Sequence, residues 1–188
     1  MRLFVALDIP DAVREALAQF CRPLREMCPG ARWVRCEGVH ITLKFIGETP
    51  PDRAELVRAT LSAVPSTGPI ELRFAGIGFF PTPRHPRILW AGVSASSALR
   101  VLARAIEEQL EPLGIPRETR GFNPHVTLAR FDSPKGLDAL RATLEKLDTS
   151  EFGGTTAREF HIYQSILKRG GAEYTRLACY PLMREPTS

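Results

Sequence analysis

The sequence predicts an α+β fold in which helices cover a largely antiparallel β-sheet, as three observations indicate. Segments whose apolar residues recur at helical spacing alternate with short segments rich in β-branched residues. The chain ends in two strand-like segments joined by a glycine-containing turn, which is typical of an antiparallel hairpin. A tetrapeptide of histidine, an aliphatic residue, threonine and leucine occurs once in each half of the 188-residue chain. An α/β arrangement of the same elements is the alternative that the pattern leaves open.

The N-terminal part of the chain predicts strands and helices in alternation. Residues 1–8 predict an opening strand, followed by a helix with Asp11 in its first turn. The apolar residues of this helix recur three and four positions apart: Val13, Ala16, Leu17, Phe20 and Leu24. Residues 31–35 and 39–46 predict two further strands. A second helix is expected after the prolines at 50–51, because proline is tolerated in the first turn of a helix but not in its interior.

The middle of the chain predicts a pair of strands and a third helix. The strands are residues 70–79 and 87–93, and the segment 80–86 that joins them is rich in proline. Because proline cannot donate to a sheet ladder, this segment is predicted to be an exposed loop. The third helix is indicated by Leu99, Leu102, Ile106 and Leu110. Gly114 follows it and can end it.

The C-terminal part of the chain predicts a strand, a fourth helix and a hairpin. The strand is residues 122–131. The apolar residues of the helix are Leu137, Leu140, Leu144 and Leu147. The hairpin joins residues 159–167 to residues 174–182 through a turn at 169–172. No long linker or low-complexity segment divides the chain.

The composition indicates a globular protein outside the membrane. Its longest apolar segments are far shorter than the ~20 residues that a membrane-spanning helix needs, and no signal-peptide cleavage pattern follows the N-terminus. A net charge of +4 is compatible with an anionic partner such as a nucleotide or an RNA end. The four cysteines include no C-x-x-C pair and none at zinc-ligand spacing from a histidine, which predicts reduced thiols in the cytoplasm.

The duplicated tetrapeptide is the most informative feature of the sequence. The two copies are His40-Ile41-Thr42-Leu43 and His125-Val126-Thr127-Leu128, which begin 85 residues apart. A given histidine is followed by an aliphatic residue, threonine and leucine by chance about once in a thousand. Two of the four histidines share this pattern, so we interpret them as functional. The other two, His85 and His161, are predicted to be structural.

The two copies carry the groups that phosphodiester hydrolysis requires. Side chains alternate between the faces of a strand, so each histidine shares a face with the threonine two positions later. If the aliphatic residues face the core, the histidines and threonines face a common cleft. One neutral imidazole can then take a proton from water while one imidazolium donates a proton to the leaving oxygen. Threonine hydroxyls can donate to phosphate oxygens. Residue types alone do not decide which histidine is the acid.

No metal or nucleotide cofactor is predicted for this chemistry. No aspartate or glutamate accompanies the two histidines at a spacing that would supply a third metal ligand. A Gly-x-x-x-x-Gly-Lys phosphate-binding loop is also missing from the sequence, which argues against an ATP-driven ligase.

The sequence resembles the 2H phosphoesterase superfamily, which has paired His-x-Thr/Ser-x motifs. It is most similar to the branch called RNA 2′,3′-cyclic phosphodiesterase, also known as 2′-5′ RNA ligase. The similarity extends over nearly the whole chain and is carried by residues 2–8, 40–48, 122–130 and 163–165. It implies one domain over residues 1–188, with two lobes related by a pseudo-twofold axis and a central cleft that carries both motifs.

The resemblance also implies an activity and a set of site residues. The activity is metal-independent hydrolysis of 2′,3′-cyclic phosphates, at RNA 3′ ends or on nucleotides, to 2′-phosphomonoesters. By analogy, His40 is the proton donor and His125 is the proton acceptor. Thr42, Thr127 and Arg130 are the residues that bind the phosphate. The protein is expected to be a cytoplasmic monomer that binds RNA ends and no membrane.

The residues themselves leave the position of Arg130 and the exact reaction open. Strict strand alternation places Arg130 on the face opposite His125, so it reaches the cleft only if the strand ends, twists or bulges there. The same two imidazoles would also serve a reversible 2′-5′ RNA ligase, or a phosphodiesterase for another cyclic or 2′-5′-linked nucleotide. A non-catalytic module that binds RNA ends is the alternative from a different class.

Overall fold

The computed structural model describes residues 1–132, 136–146, 151–168 and 171–183, which contain four α-helices and nine strands. The helices are α1 (Asp11–Met27), α2 (Pro51–Leu61), α3 (Ser97–Leu110) and α4 (Leu137–Lys146). The strands are β1 (Arg2–Leu7), β2 (Arg32–Trp33), β3 (Ile41–Glu48), β4 (Ile70–Phe80), β5 (Ile88–Ala95), β6 (His125–Arg130), β7 (Glu151–Ala157), β8 (Glu159–Lys168) and β9 (Gly171–Pro181). Short 3₁₀ turns occupy Cys36–Gly38 and Glu111–Leu113.

All nine strands belong to one sheet in which every pair is antiparallel. The strand order is β7-β4-β5-β6-β3-β1-β8-β9, with β2 paired to β6 beside this path. The two strands that carry the duplicated motif, β3 and β6, lie side by side in the middle. A pseudo-twofold axis between them relates β1 to β5, β8 to β4 and β9 to β7. The predicted α+β fold with a largely antiparallel sheet is therefore confirmed.

The helices pack around one apolar core formed by the inward-facing residues of the sheet. Helix α1 contacts β7 and α4, while α3 contacts β3 and α2. Among the described residues, the buried apolar side chains form a single cluster that takes in both motif strands. None of the helices in the described ranges is long and apolar enough to cross a membrane.

Most of the predicted elements are present, with altered boundaries. The predicted strand at 31–35 is reduced to the two residues of β2, and β3 and β6 begin at Ile41 and His125. Gly114 ends the 3₁₀ turn that follows α3 rather than α3 itself, with a positive φ of 72°. The predicted helical residue Leu147 and part of the hairpin turn, residues 169–170, lie outside the described residues.

Strand β7 was not predicted from the sequence. It contains two adjacent glycines, Gly153 and Gly154, which are depleted in strands because they lack a side chain to pack. The strand forms because β4 provides a partner over most of its length. At Gly154 this pairing leaves no room for a side chain, since an added Cβ would lie 2.8 Å from the carbonyl oxygen of Leu72.

A buried ion pair attaches helix α3 to the first motif strand. Lys44 of β3 is only 6% exposed, and its Nζ donates to Glu107 Oε1 at 2.8 Å and to the Pro116 carbonyl at 2.5 Å. The same Glu107 oxygen accepts the backbone N–H of Glu118 at 2.8 Å. One carboxylate therefore holds the helix, the loop after it and β3 together.

We expect Glu107→Gln to destabilise the protein by about 3–5 kcal/mol, because it leaves the buried Lys44 ammonium without a counter-charge. Urea unfolding at pH 7 would measure this loss. Glu108 pairs with Arg104 on the exposed side of the same helix, so Glu108→Gln is a matched control that should leave stability nearly unchanged. Equal effects of the two substitutions would show that the Lys44 pair does not anchor α3.

Candidate active site

The two motifs meet at the middle of the sheet. Ile41 of β3 pairs with Val126 of β6, and both side chains are fully buried in the core. Continuing this antiparallel register by one residue in each direction places His40 across from Thr127, and Thr42 across from His125. All four lie on the side of the sheet away from the core, which we call the cleft face. The predicted convergence of the two histidines and two threonines is thus present.

A β-bulge follows the second motif and decides the position of Arg130. Consecutive residues of β5, Leu89 and Trp90, pair with Ala129 and Thr127, so the intervening leucine of β6 has no partner of its own. A bulge shifts the alternation of side chains by one residue. Ala129 is accordingly buried, and Arg130 returns to the cleft face. Without the bulge, strand alternation would place Arg130 on the opposite face; with it, the arginine can reach the cleft.

The first motif has a bulge at the equivalent position. Consecutive residues of β1, Val5 and Ala6, pair with Lys44 and Thr42 of β3. Lys44 therefore turns into the core, and Phe45 turns to the cleft face, where it is 61% exposed. Under the pseudo-twofold relation, Phe45 takes the place that the arginine takes in the other half. The cleft face thus has an aromatic ring at one end and a guanidinium at the other.

Each motif histidine is held by a backbone carbonyl two residues before it. His40 Nδ1 lies 2.7 Å from the Gly38 oxygen, and His125 Nδ1 lies 2.7 Å from the Asn123 oxygen. A carbonyl oxygen only accepts hydrogen bonds, so both Nδ1 atoms carry a proton and donate it. This leaves Nε2 of each ring free to exchange a proton with a ligand.

Aromatic rings pack against both imidazoles. Phe4 stacks on His40 with ring centroids 4.6 Å apart, and Tyr174 meets the same imidazole edge-on at 5.1 Å. His125 meets the ring of Phe80 edge-on at 5.0 Å. A cavity of about 70 Å³ opens beside the first imidazole, lined by Phe4, Asp8, Arg14, Glu37, Val39, His40, Tyr163 and Tyr174. These contacts fix the orientation of the rings.

The surroundings make both imidazoles less basic than free histidine. The pKa of His40 is lowered to about 4, mainly by burial and in part by the charges of Arg130 and Arg14, while the Gly38 carbonyl and Asp8 act in the opposite direction. Burial also lowers the pKa of His125, again with a contribution from Arg130. Both rings are therefore mainly neutral at pH 7 in the free protein.

Arg130 acts on both halves of the site, since its charge lowers the pKa of both histidines and of Tyr174.

No group of opposite charge was assigned to the site from the sequence, but the structure provides Asp8. Its carboxylate accepts hydrogen bonds from the Tyr163 hydroxyl and the Arg176 guanidinium. Asp8 follows β1 and shares the cleft face with Phe4 by strand alternation, which is the signal that could have identified it.

Comparison with known proteins places this geometry in a family. A model of the 2′-5′ RNA ligase superfamily matches residues 9–166. A protein of Archaeoglobus fulgidus named RNA 2′,3′-cyclic phosphodiesterase is 35% identical over 182 residues, which cover 96% of this chain and 99% of the relative. A Thermus thermophilus relative of the same name is 37% identical over 199 aligned positions, covering 98% and 92% of the two chains.

The fold is shared as well as the sequence. The crystal structure of a protein from Thermus thermophilus superposes with a TM-score of 0.77 at 31% identity, covering 97% of this chain and 98% of that one. The family match includes both histidine motifs and extends over most of the sheet. The chain therefore belongs to the 2′-5′ RNA ligase superfamily.

Proposed function

We propose that this protein is an RNA 2′,3′-cyclic 3′-phosphodiesterase, which hydrolyses cyclic phosphates at RNA or nucleotide ends to 2′-phosphomonoesters. The observation that carries the proposal is the pair of imidazoles on the cleft face, each with Nδ1 bonded to a backbone carbonyl and Nε2 available. Relatives that bear this name are 35% and 37% identical to the chain over nearly its full length. A cytoplasmic location and a monomeric state remain predictions from the sequence.

The proposed reaction uses one imidazole on each side of the phosphorus. Nε2 of His125 accepts a proton from water as the water oxygen forms a bond to phosphorus. The bond between phosphorus and O3′ breaks, and Nε2 of His40 donates a proton to O3′. The products are a 2′-phosphomonoester and a free 3′-hydroxyl. After the reaction His125 is protonated and His40 is neutral. Proton exchange with solvent then returns both imidazoles to their starting states.

His40 needs a proton for this role, although burial holds its pKa at about 4 in the free protein. The negative charge of a bound cyclic phosphate would raise this pKa, because an anion close to an imidazole favours the imidazolium. Asp8 acts in the same direction. We therefore propose that substrate binding itself stabilises the protonated acid.

The remaining residues of the cleft face are proposed to bind the substrate. The hydroxyls of Thr42 and Thr127 would donate to the non-bridging phosphate oxygens, which gain charge in the transition state. Arg130 would pair with phosphate through two parallel N–H donors, as guanidinium groups commonly do. The exposed ring of Phe45 offers a surface on which a nucleobase could stack, an interaction worth about 1–3 kcal/mol.

Alanine substitution of either histidine tests the acid–base mechanism. We expect His40→Ala and His125→Ala each to lower kcat by about 10²–10⁴-fold, since that is the usual contribution of one general acid or base. Product formation from an oligonucleotide with a 2′,3′-cyclic phosphate end would be measured by chromatography. His85→Ala, in the loop between β4 and β5, is the control and should retain full activity. Near-normal turnover in either motif variant, or no turnover by the wild type, would refute the mechanism.

Removing a threonine hydroxyl while keeping the strand shape tests phosphate recognition. Thr42→Val and Thr127→Val should each lower kcat/KM by about ten- to a hundredfold, because a hydrogen bond to a charged oxygen is worth about 1.5–3 kcal/mol. The matched variants Thr42→Ser and Thr127→Ser keep the hydroxyl and should stay close to wild type. If valine and serine variants behave alike, the threonines serve packing and not phosphate binding.

The pH profile tests the role of burial and of Arg130. In the active free enzyme one imidazole is protonated and the other is neutral. Both pKa values are lowered, so kcat/KM should peak at a pH below the ~6.5 of free imidazole. The profile of kcat should peak at a higher pH, because bound phosphate raises both values.

Substituting the arginine makes this prediction specific. Arg130→Gln removes a charge that lowers both histidine pKa values, so the kcat/KM maximum should shift to higher pH as the rate falls. Arg73→Gln, which removes an arginine paired with Glu151 at the surface, is the control. An unshifted profile in Arg130→Gln would place this guanidinium outside the electrostatic range of the imidazoles.

A further inference from the structure

A second cluster of chemically reactive side chains lies outside the two motifs, on strands β8 and β9. His161 of β8 pairs across the ladder with Cys179 of β9. Glu159 precedes His161 by two residues, so its side chain lies on the same face of the sheet. One potential ligand atom from each of the three residues lies within 4.8 Å of the other two. Among the described residues, it is the group of three His, Cys, Asp or Glu side chains that lie close enough together to hold a metal ion.

The hydrogen bonds within the cluster already bring its atoms close to metal-ligand spacing. Glu159 Oε1 lies 3.0 Å from His161 Nε2, and Glu159 Oε2 accepts a hydrogen bond from Cys179 Sγ at 2.8 Å. Zinc bonds of about 2.0–2.3 Å to nitrogen, oxygen and sulfur separate tetrahedral ligand atoms by about 3.3–3.7 Å. To admit an ion, each hydrogen-bonded pair would have to separate by less than about 1 Å, and a ligand spacing of up to 4.8 Å would have to close by about 1 Å.

The imidazole of His161 is buried with one ring nitrogen unpaired. The side chain is 1% exposed, and its buried Nδ1 has no hydrogen-bond partner. Such orphaned polar atoms are rare in buried sites. Asp8 Oδ1 lies 3.6 Å from this nitrogen. An ion on Nε2 would place the ring proton on Nδ1, facing this carboxylate, which is the usual arrangement behind a metal-binding histidine.

We propose that Glu159, His161 and Cys179 form a binding site for a thiophilic divalent cation, Zn²⁺, with water as the fourth ligand. The set of one nitrogen, one sulfur and one carboxylate oxygen suits zinc, whereas magnesium and calcium prefer oxygen ligands. Glu159 and Cys179 are exposed, so the ion can enter from solvent. Cys179 would bind as the thiolate, so coordination displaces the thiol proton to solvent.

The same three residue types could in principle form a cysteine-nucleophile site, but their arrangement opposes this. The carboxylate of Glu159 lies between the thiol and the imidazole and accepts a hydrogen bond from each. The imidazole is therefore not placed to take the thiol proton, as a cysteine–histidine nucleophile pair requires. Burial and the nearby carboxylate also raise the pKa of Cys179 to about 11, so the thiol is protonated at neutral pH.

The ion would connect the last two strands of the sheet. Two ligands come from β8 and one from β9, so coordination adds a link across this hairpin. The site takes no part in the proposed acid–base chemistry, which uses only groups of the two motifs. Its expected effect is on stability, because an ion that binds only the folded chain stabilises it.

Cobalt titration of the reduced, full-length protein tests the site directly. Co²⁺ adopts zinc geometries and gives an intense near-ultraviolet charge-transfer band when a thiolate binds it. We expect this band to saturate at one ion per chain and to disappear when Zn²⁺ is added. Cys179→Ser should lose the band and Glu159→Gln should bind more weakly, both while retaining the wild-type circular dichroism spectrum. His85→Gln, which removes a histidine elsewhere, should bind as the wild type does.

Thermal unfolding gives a second measurement that does not depend on the spectrum. Zn²⁺ at about 100 times its Kd should raise Tm by about 5–10 °C in the wild type and leave Tm of Cys179→Ser unchanged. A cobalt–thiolate band that persists in Cys179→Ser would place the ion on another cysteine and overturn the proposal. The absence of any band at an approximately tenfold excess of Co²⁺ over protein would overturn it as well.

Discussion

The pairing of Ile41 with Val126 is the contact on which the site depends. This pair sets the register between β3 and β6, the strands at which the two halves of the sheet meet. Both side chains are fully buried. Because side chains alternate along a strand, a shift of either strand by one residue would exchange the buried and exposed sets. Both imidazoles would then turn into the core. The apolar residue inside each tetrapeptide therefore holds its neighbouring histidine and threonine on the cleft face.

The bulges that follow the two motifs give a nearly symmetric sheet an asymmetric cleft. Each bulge buries two consecutive residues and returns the next one to the cleft face. The second of the two buried residues is Lys44 in one half, where it anchors helix α3, and Ala129 in the other half. The residues returned to the cleft are Phe45 and Arg130. A repeated backbone thus places an aromatic ring at one end of the cleft face and a positive charge at the other.

Burial of the imidazoles has opposite effects on positioning and on protonation. The packing of Phe4 and Tyr174 fixes the ring of His40, but the same desolvation lowers its pKa to about 4. An acid of this kind gains its proton most readily when an anion is bound beside it. The proposed site is therefore electrostatically suited to an anionic ligand, whose charge would favour the protonated form of His40. Asp8 also raises the pKa of His40.

The sequence by itself determined the helices on a largely antiparallel sheet, the final hairpin and the shared face of each histidine and threonine, while leaving an α/β arrangement open. These features follow from local periodicity, which an isolated segment already contains. Only the tertiary structure decided that Arg130 reaches the cleft, that Gly153 and Gly154 lie in a strand, and that His161 meets Cys179. Each of these depends on the register with another strand. Register is set by which distant segment becomes the neighbour, and no local pattern encodes that choice.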